Sequence, residues 1–317
     1  VPIHEIVHKT GHLLKDKTTP PALKADGTPE TVLKVENLRK SYTIRKGGFF
    51  DTKKESSLVH AVNGVSFDIK RGECLGLVGE SGCGKTLTAL AVMGLLPPGG
   101  RATGRIGFDG RDLLALRPSA HRAMLGRDIA MVFQDPMTAL HPMLSVERQM
   151  TEHLRHHRQL SARAARDRAV EMLDLVRIPD PGGALRRYPH QFSGGMRQRV
   201  AIAMALVCGP RLLIADEPTT ALDVTVEAAV VELVKDLGKK YGTSMLFISH
   251  NLGLVLETCD RLCVMYSGEA VERGSIKDVF DEMQHPYTQA LFRSIPLPGA
   301  DKNARPLVAI PGNFPLP

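Results

Sequence analysis

The chain has 317 residues, which suits one large domain or two modest ones, and its 43% hydrophobic content is enough to build a core. No apolar run approaches the roughly 20 residues of a membrane-spanning helix, no secretory signal is visible, and five cysteines without a CxxC pair argue against a disulfide framework. The net charge of +7 permits nucleic acid or an anionic membrane surface as a partner. A solvated basic surface is favoured, because aromatic residues make up only 5% of the chain and form no basic–aromatic platform for nucleic acid.

The N-terminal part of the chain divides into a tail and a region of strand character. Residues 1–30 are rich in Lys, Thr and Pro, so we expect a poorly ordered tail. Residues 32–38 alternate as in a strand, and the same character returns at residues 59–62 and 65–69, which predicts an antiparallel β layer. The flat ring of Tyr42 in this layer suits stacking on a purine, although the residue type is equally typical of a core.

The stretch with the most chemical information lies between an apolar run at residues 74–78 and a helical pattern at residues 87–93. It has the phosphate-binding loop pattern, which comprises Gly79, Glu80, Ser81, Gly82, Cys83, Gly84, Lys85 and Thr86. Glycines let the backbone wrap a phosphate, and N–H groups at the helix start point at the anion. Lys85 can reach the outer phosphates and the Thr86 hydroxyl can bind Mg²⁺. The alternative, a glycine-rich turn that binds nothing, fits the flanking strand and helix less well.

The middle of the chain supplies a strand end and a second helix start. A buried strand at residues 129–133 is followed by Gln134, at the kind of strand end where α/β sheets place ligands. Residues from about 145 to 188 are predicted to be helical and are strongly basic, which favours a solvated helical subdomain over an anion contact. Ser193, Gly194 and Gly195 then lead into a further helix with a serine cap and exposed backbone donors. A second anion site is therefore predicted.

Two acidic residues and a histidine follow at further strand ends. Asp216 and Glu217 come directly after an apolar strand. In a phosphate-loop enzyme the carboxylate of Asp216 suits the coordination shell of Mg²⁺, and that of Glu217 suits polarisation of an attacking water. The alternative is an acidic strand end that has no catalytic role. A strand from residue 244 ends in His250, which can contact a γ-phosphate.

The order of these motifs resembles that of ABC-type ATPases over about residues 32–295. The resemblance implies an α/β fold: a P-loop NTPase (RecA-like) core with an antiparallel β subdomain and an inserted α-helical subdomain. In this resemblance Gln134 matches the Q-loop glutamine, which is expected to take part in catalysis and in metal binding. Asp223 matches a position in the D-loop. Ser193, Gly194, Gly195 and Met196 match the signature loop, and Tyr42 matches the aromatic residue that stacks on adenine. Leu87 departs from the pattern, since many phosphate loops have a second hydroxyl there.

The subfamily that the chain resembles is the ATPase subunits of bacterial oligopeptide/dipeptide importers, a family that also carries nickel and some sugars. The resemblance rests on residues 133–137, 192–199, 215–225 and 285–288, and Met196 stands where the signature usually has Gln. After the tail at residues 1–30, it implies an ABC ATPase domain at 31–280 with a helical subdomain at about 136–195, and an importer-type C-terminal extension at 281–317.

The same resemblance implies the working parts of the protein. ATP and Mg²⁺ are bound by a site shared between two chains, with Lys85, Gln134, Glu217 and His250 in catalysis and Thr86, Gln134 and Asp216 around the metal. The expected partners are transmembrane permease subunits, a second ATPase subunit that is identical or a sister chain, and an extracytoplasmic solute-binding protein reached through the permease. The expected location is peripheral, on the cytoplasmic face of the bacterial inner membrane.

Three alternatives remain beside this interpretation. A non-transport ABC ATPase that acts on nucleic acid or ribosomes is permitted by the basic charge, but such proteins commonly have two nucleotide domains or a long coiled coil, and nucleic acid is not expected as a partner. An exporter subunit is often fused to a membrane span. A protein that binds ATP without hydrolysis conflicts with the presence of Glu217 and His250.

Overall fold

An antiparallel sheet forms the first layer of the computed structural model, which describes residues 30–46, 55–98, 102–135, 139–219 and 224–294. Its four strands are arranged in the order β2-β1-β4-β5. They are β1 (Thr31–Lys46), β2 (Glu55–Lys70), β4 (Ala102–Phe108) and β5 (Arg111–Asp112). Side chains such as Val35, Leu38 and Ile69 are at most 1% exposed, because one face of this sheet is buried against the next layer.

A second sheet of six strands carries the ends at which the predicted site residues lie. Its order is β10-β9-β3-β8-β7-β6, and all neighbours are parallel except β10, which pairs antiparallel with β9. The strands are β3 (Cys74–Val78), β6 (Ile129–Val132), β7 (Leu212–Asp216), β8 (Ser244–Ser249), β9 (Arg261–Tyr266) and β10 (Glu269–Ser275). The five parallel strands therefore all point their carboxyl ends towards the same edge of the sheet.

The helices of the described residues pack partly on the faces of the parallel sheet and partly on one another. They are α1 (Lys85–Met93), α2 (Pro118–Arg122), α3 (Val146–Arg158), α4 (Ala162–Leu175), α5 (Pro181–Ala184), α6 (Gly194–Leu206), α7 (Val224–Tyr241), α8 (Leu252–Thr258), α9 (Ile276–Asp281) and α10 (Pro286–Arg293). Serine side chains cap α3, α4 and α6 by accepting a backbone N–H in the first turn. None of the helices in the described ranges combines the length and the apolar composition that a membrane crossing requires.

The core consists of two apolar clusters, one on each face of the parallel sheet. Leu77 and Ile214 belong to the cluster that includes α1 and the antiparallel sheet, whereas Val78 and Leu213 belong to the cluster that includes α3, α4, α6 and α7. This division follows from the alternation of side chains along a strand. Strands buried on both faces are continuous apolar runs, which is why the sequence pattern identifies them.

The predicted α/β architecture is confirmed, but several elements differ in extent. The predicted helical stretch from 145 to 188 is interrupted at Gln159 and Arg177, which adopt left-handed backbone conformations with φ of 54° and 58°. Strand β10 and helix α9 were not predicted. Strand β10 lacks the apolar pattern of a buried strand, because it is charged and pairs on one side only, with β9. The domain boundaries at residues 31, 280 and 281 stay predictions. The predicted tail lies outside the described residues apart from Glu30.

Candidate active site

The phosphate-binding loop connects β3 to α1 as the sequence predicts. Gly84 is the N-cap residue of α1, with φ of 99°, and no side chain caps this helix, so its first N–H groups point into the loop. A Cβ on Gly84 would lie 2.6 Å from the carbonyl oxygen of Ala61, and one on Gly79 would lie 2.2 Å from that of Met265. The neighbouring backbone therefore requires glycine at both positions.

The ammonium group of Lys85 lies inside the loop. Lys85 is 5% exposed, and its Nζ donates hydrogen bonds to the carbonyl oxygens of Gly79 at 2.8 Å and Glu80 at 2.9 Å. Cys83 is fully buried next to it, and burial raises the pKa of its thiol although the charge of Lys85 lowers it. Cys83 therefore fills a buried packing position, and Lys85 places a positive charge where phosphate oxygens would enter.

A hydroxyl and a carboxylate meet at the carboxyl end of β7. Thr86 Oγ1 donates a hydrogen bond of 3.3 Å to Asp216 Oδ1, and Asp216 is 2% exposed. Burial raises the pKa of Asp216, the hydrogen bond from Thr86 lowers it, and the charge of Glu217 raises it. A buried carboxylate beside a hydroxyl is a hard-oxygen donor pair of the kind that Mg²⁺ prefers, so these residues fit the metal.

The Glu217 carboxylate is the point at which the predicted catalytic residues meet. Its Oε2 accepts a hydrogen bond of 2.9 Å from Gln134 Nε2 and lies 3.4 Å from His250 Nδ1. The side chain of Glu217 is 13% exposed, whereas that of His250 is 61% exposed. The carboxylate thus lies at the base of the site, and the two side chains from β6 and β8 reach it from the solvent side.

The backbone of Glu217 is held in a left-handed conformation, with φ of 45°. Its N–H donates to the carbonyl oxygen of Ile248 at 2.9 Å, which fixes the turn after β7 to the end of β8. Such a conformation costs on the order of 1 kcal/mol for a non-glycine residue. The side chain of the residue that adopts it contacts Gln134. Sequence patterns alone do not predict this turn.

For three further predicted site residues, the structure leaves all or part of the predicted role untested. The ammonium group of buried Lys40 lies 4.6 Å from the ring centroid of Tyr42 and covers one face of the ring. A stacked base would therefore use the other face. The stacking of Tyr42 on adenine stays a prediction. Asp223 lies outside the described residues. Gln134 contacts Glu217, as stated above, and its role at the metal also stays a prediction.

The predicted signature loop forms an open helix start. Ser193 caps α6 by accepting the N–H of Met196 at 3.4 Å, and Ser193 and Gly194 are exposed. The helix itself packs against β6, α4 and α7. The N–H groups at this helix start are therefore presented to solvent on the surface of the chain, as the second anion site requires.

Sequence reasoning missed a contact between the phosphate-binding loop and α10. The Tyr287 hydroxyl of α10 accepts a hydrogen bond of 2.9 Å from the Glu80 N–H. The only signal for it was the stretch from His285 to Thr288, which identified a subfamily without indicating a contact.

Replacing Asp216 by Asn is expected to raise the melting temperature of the nucleotide-free protein at pH 7 by about 2–4 °C. The pKa of Asp216 is raised on folding, so its contribution to stability is greatest below its unfolded pKa of about 4 and is lost as the pH rises. The gain should therefore vanish as the pH falls towards 4. Thermal melts across this pH range test the effect, with Asp236→Asn on the exposed face of α7 as the control. A gain that persists at pH 4 would contradict it.

The strand–loop–helix cradle and the adjacent carboxylates define a phosphate-loop nucleotide-binding protein. A family model for "ABC transporter" matches residues 62–220, and one for "Oligopeptide/dipeptide transporter, C-terminal region" matches residues 271–317. The chain is 50% identical over 288 residues to the dipeptide transport ATP-binding protein DppD of Bacillus subtilis, covering 90% of this chain and 82% of that protein. It is 43% identical over 294 residues to the oligopeptide transport ATP-binding protein OppD of Salmonella typhimurium, covering 93% and 84%.

The fold is also similar to solved structures. The dimeric, post-hydrolysis ATP-binding cassette MJ0796 bound to ADP and Pi aligns with a TM-score of 0.66 at 26% identity, over 77% of this chain and 98% of that chain. The cbiO1 protein of Clostridium perfringens aligns with a TM-score of 0.63 at 28% identity, over 80% and 92%. The chain belongs to the ABC transporter ATPase family. The predicted ATPase activity and the predicted resemblance to peptide-importer ATPase subunits are both confirmed.

Proposed function

We propose that this chain is the ATP-hydrolysing subunit that powers import of peptides, or of a related small solute such as nickel or a sugar, through a membrane permease. The observation that carries the proposal is the meeting of Gln134 and His250 at the carboxylate of Glu217, one residue from Asp216. Peptide import in particular is supported by the relatives named for dipeptide and oligopeptide transport and by the matching C-terminal region.

The proposed reaction is attack of water on the γ-phosphorus of ATP. Glu217 accepts a proton from the water as the new P–O bond forms, and the bond between the γ-phosphorus and the bridging oxygen breaks with its electron pair remaining on ADP. Gln134 and His250 orient the carboxylate and the water. Lys85 exchanges its carbonyl partners for phosphate oxygens and stabilises the charge that develops there. Thr86 and Asp216 would hold Mg²⁺, which supplies positive charge against the phosphate oxygens when bound.

The proposed unit of activity is a dimer of ATPase subunits. The exposed helix start at Ser193 offers N–H donors to the nucleotide of a partner chain, and this accounts for the second anion site that the sequence predicts. ATP that contacts both chains favours the closed dimer by differential binding, and hydrolysis removes this contact. The related cassette MJ0796 was solved as a dimer bound to ADP and Pi.

The proposed location is the cytoplasmic face of the bacterial inner membrane, where the subunit docks on permease subunits. An extracytoplasmic solute-binding protein would deliver the solute to the permease. The test is affinity isolation of the tagged chain from gently solubilised native membranes, followed by mass spectrometry. Two multi-span permeases, with or without a second ATPase, are the expected partners. Recovery in the soluble fraction with nucleic acid or ribosomal proteins would contradict transport.

A further inference from the structure

The phosphate-binding loop is hydrogen-bonded to the C-terminal helical arm, which we define as α9, α10 and the residues between them. The hydroxyl of Tyr287, at the second position of α10, accepts the N–H of Glu80 at 2.9 Å across 207 positions of sequence. Tyr287 is 6% exposed and Glu80 is half-buried, so this hydrogen bond is partly shielded from water. Burial also raises the pKa of Tyr287, and its hydroxyl therefore stays neutral at physiological pH.

The arm is anchored where α10 begins. The carboxylate of Glu272 in β10 accepts the N–H of Gln284 at 2.8 Å and that of His285 at 3.2 Å. His285 then caps α10, because its Nδ1 accepts the N–H of Tyr287 at 3.2 Å. These bonds fix the position of Tyr287 relative to β10, and β10 is held by β9 in the parallel sheet.

The tyrosine ring is also held against the strand that borders the loop. Its centroid lies 4.4 Å from that of Tyr266 at the end of β9. Two residues further on, the N–H of Gly268 donates to the carbonyl oxygen of Cys83 at 3.2 Å. The loop thus has one contact to the arm and one to the turn after β9, so both of its sides are restrained.

We propose that Tyr287 is a positioning residue for ATP binding, through which the C-terminal helical arm holds the phosphate-binding loop in its wrapped conformation. The inference rests on the nucleotide site of the proposed function and extends it to a residue that does not touch the catalytic carboxylate. A loop that is held in its binding conformation before the ligand arrives loses less entropy on binding and binds more tightly. The shape of the arm therefore influences the affinity for nucleotide.

Replacing Tyr287 by Phe tests the inference, because it removes the hydroxyl and keeps the ring on Tyr266. The expected result is an increase of about five- to tenfold in the Kd for ADP and in the KM for ATP, since one partly buried backbone N–H loses its partner. We expect kcat to change less than twofold, because the catalytic groups are unaltered. Hydrogen exchange in the peptide that spans residues 79–86 should become faster.

The matched control is Tyr241→Phe. The Tyr241 hydroxyl lies at the end of α7 and contacts Met172 Sδ at 3.6 Å, so its loss should leave the Kd unchanged. An unchanged Kd and unchanged exchange in Tyr287→Phe would overturn the inference. Equal weakening in both variants would also overturn it, because the effect would then be general destabilisation. Failure of the wild-type protein to bind nucleotide would instead contradict the ATPase assignment.

A second variant tests the role of the arm without altering Tyr287. Glu272→Ala removes the acceptor for two backbone N–H groups at the start of α10 and should raise the Kd for ADP in the same direction, with exposed Glu282→Ala as the control. The double variant Tyr287→Phe/Glu272→Ala should bind no more weakly than Tyr287→Phe alone, because both changes break one connection. Additive weakening would show that the two residues act independently and would contradict the proposed connection.

Discussion

Replacing Glu217 by Gln is expected to reduce the ATP hydrolysis rate by about 10²- to 10⁴-fold while ATP binding is retained. The amide has the shape of the carboxylate but cannot accept the proton of the attacking water. Glutamine also adopts the left-handed conformation at this position at a cost similar to that of glutamate, so the turn after β7 should persist. Hydrolysis no longer opens the dimer, and a closed ATP-bound dimer should accumulate in size-exclusion chromatography with ATP and Mg²⁺.

The control for this variant is Glu257→Gln on α8. Glu257 is exposed, so the same chemical change there should leave the hydrolysis rate within twofold of wild type. Phosphate release and dimer formation are measured on both variants under identical conditions. An unchanged hydrolysis rate in Glu217→Gln would remove Glu217 from the role of general base and leave the contacts of Gln134 and His250 without a catalytic meaning.

Replacing Lys85 by Met is expected to weaken ATP binding by about 10²-fold, with hydrolysis lost at ATP concentrations that saturate the wild type. Methionine approximates the length of the lysine stem, but it offers no charge or hydrogen bond to the phosphates. The buried position matters, because few water molecules are available there to replace the missing ammonium. Titration with a fluorescent ATP analogue measures the affinity.

Lys277→Met, on the exposed face of α9, is the matched control and should bind ATP as the wild type does. The melting temperature of nucleotide-free Lys85→Met should be close to that of the wild type, since the loss of a buried charge offsets the loss of hydrogen bonds to Gly79 and Glu80. Near-normal ATP affinity in this variant would contradict the position of Lys85 at the phosphates.

The elements that sequence patterns predict are those whose geometry is local. The loop from Gly79 to Thr86 depends on glycine conformations and a helix start, and all of these lie within eight consecutive residues. The buried strands were predicted because both of their faces are apolar. Asp216, Glu217 and His250 were identified because each follows such a strand, and the carboxyl ends of parallel strands lie at one edge of a sheet.

Contacts between distant segments were not predictable in the same way. The strand order β10-β9-β3-β8-β7-β6 differs from the order along the chain, so it depends on crossover connections and on packing. The contact of Gln134 with Glu217 joins residues 83 positions apart, and Glu217 has a left-handed backbone conformation at the point of contact. A family resemblance named these residues, but it did not specify the atom at which they meet.

The sequence by itself determined the class of this protein, the phosphate-binding loop and the residues that end each strand of the site. These features follow from short patterns in which neighbouring residues decide the backbone conformation. Only the tertiary structure decided that Gln134 and His250 meet at one oxygen of Glu217 and that Tyr287 holds the N–H of Glu80. Such contacts depend on how the whole sheet and its helices pack, because residues 207 positions apart become neighbours only when every intervening element is in place.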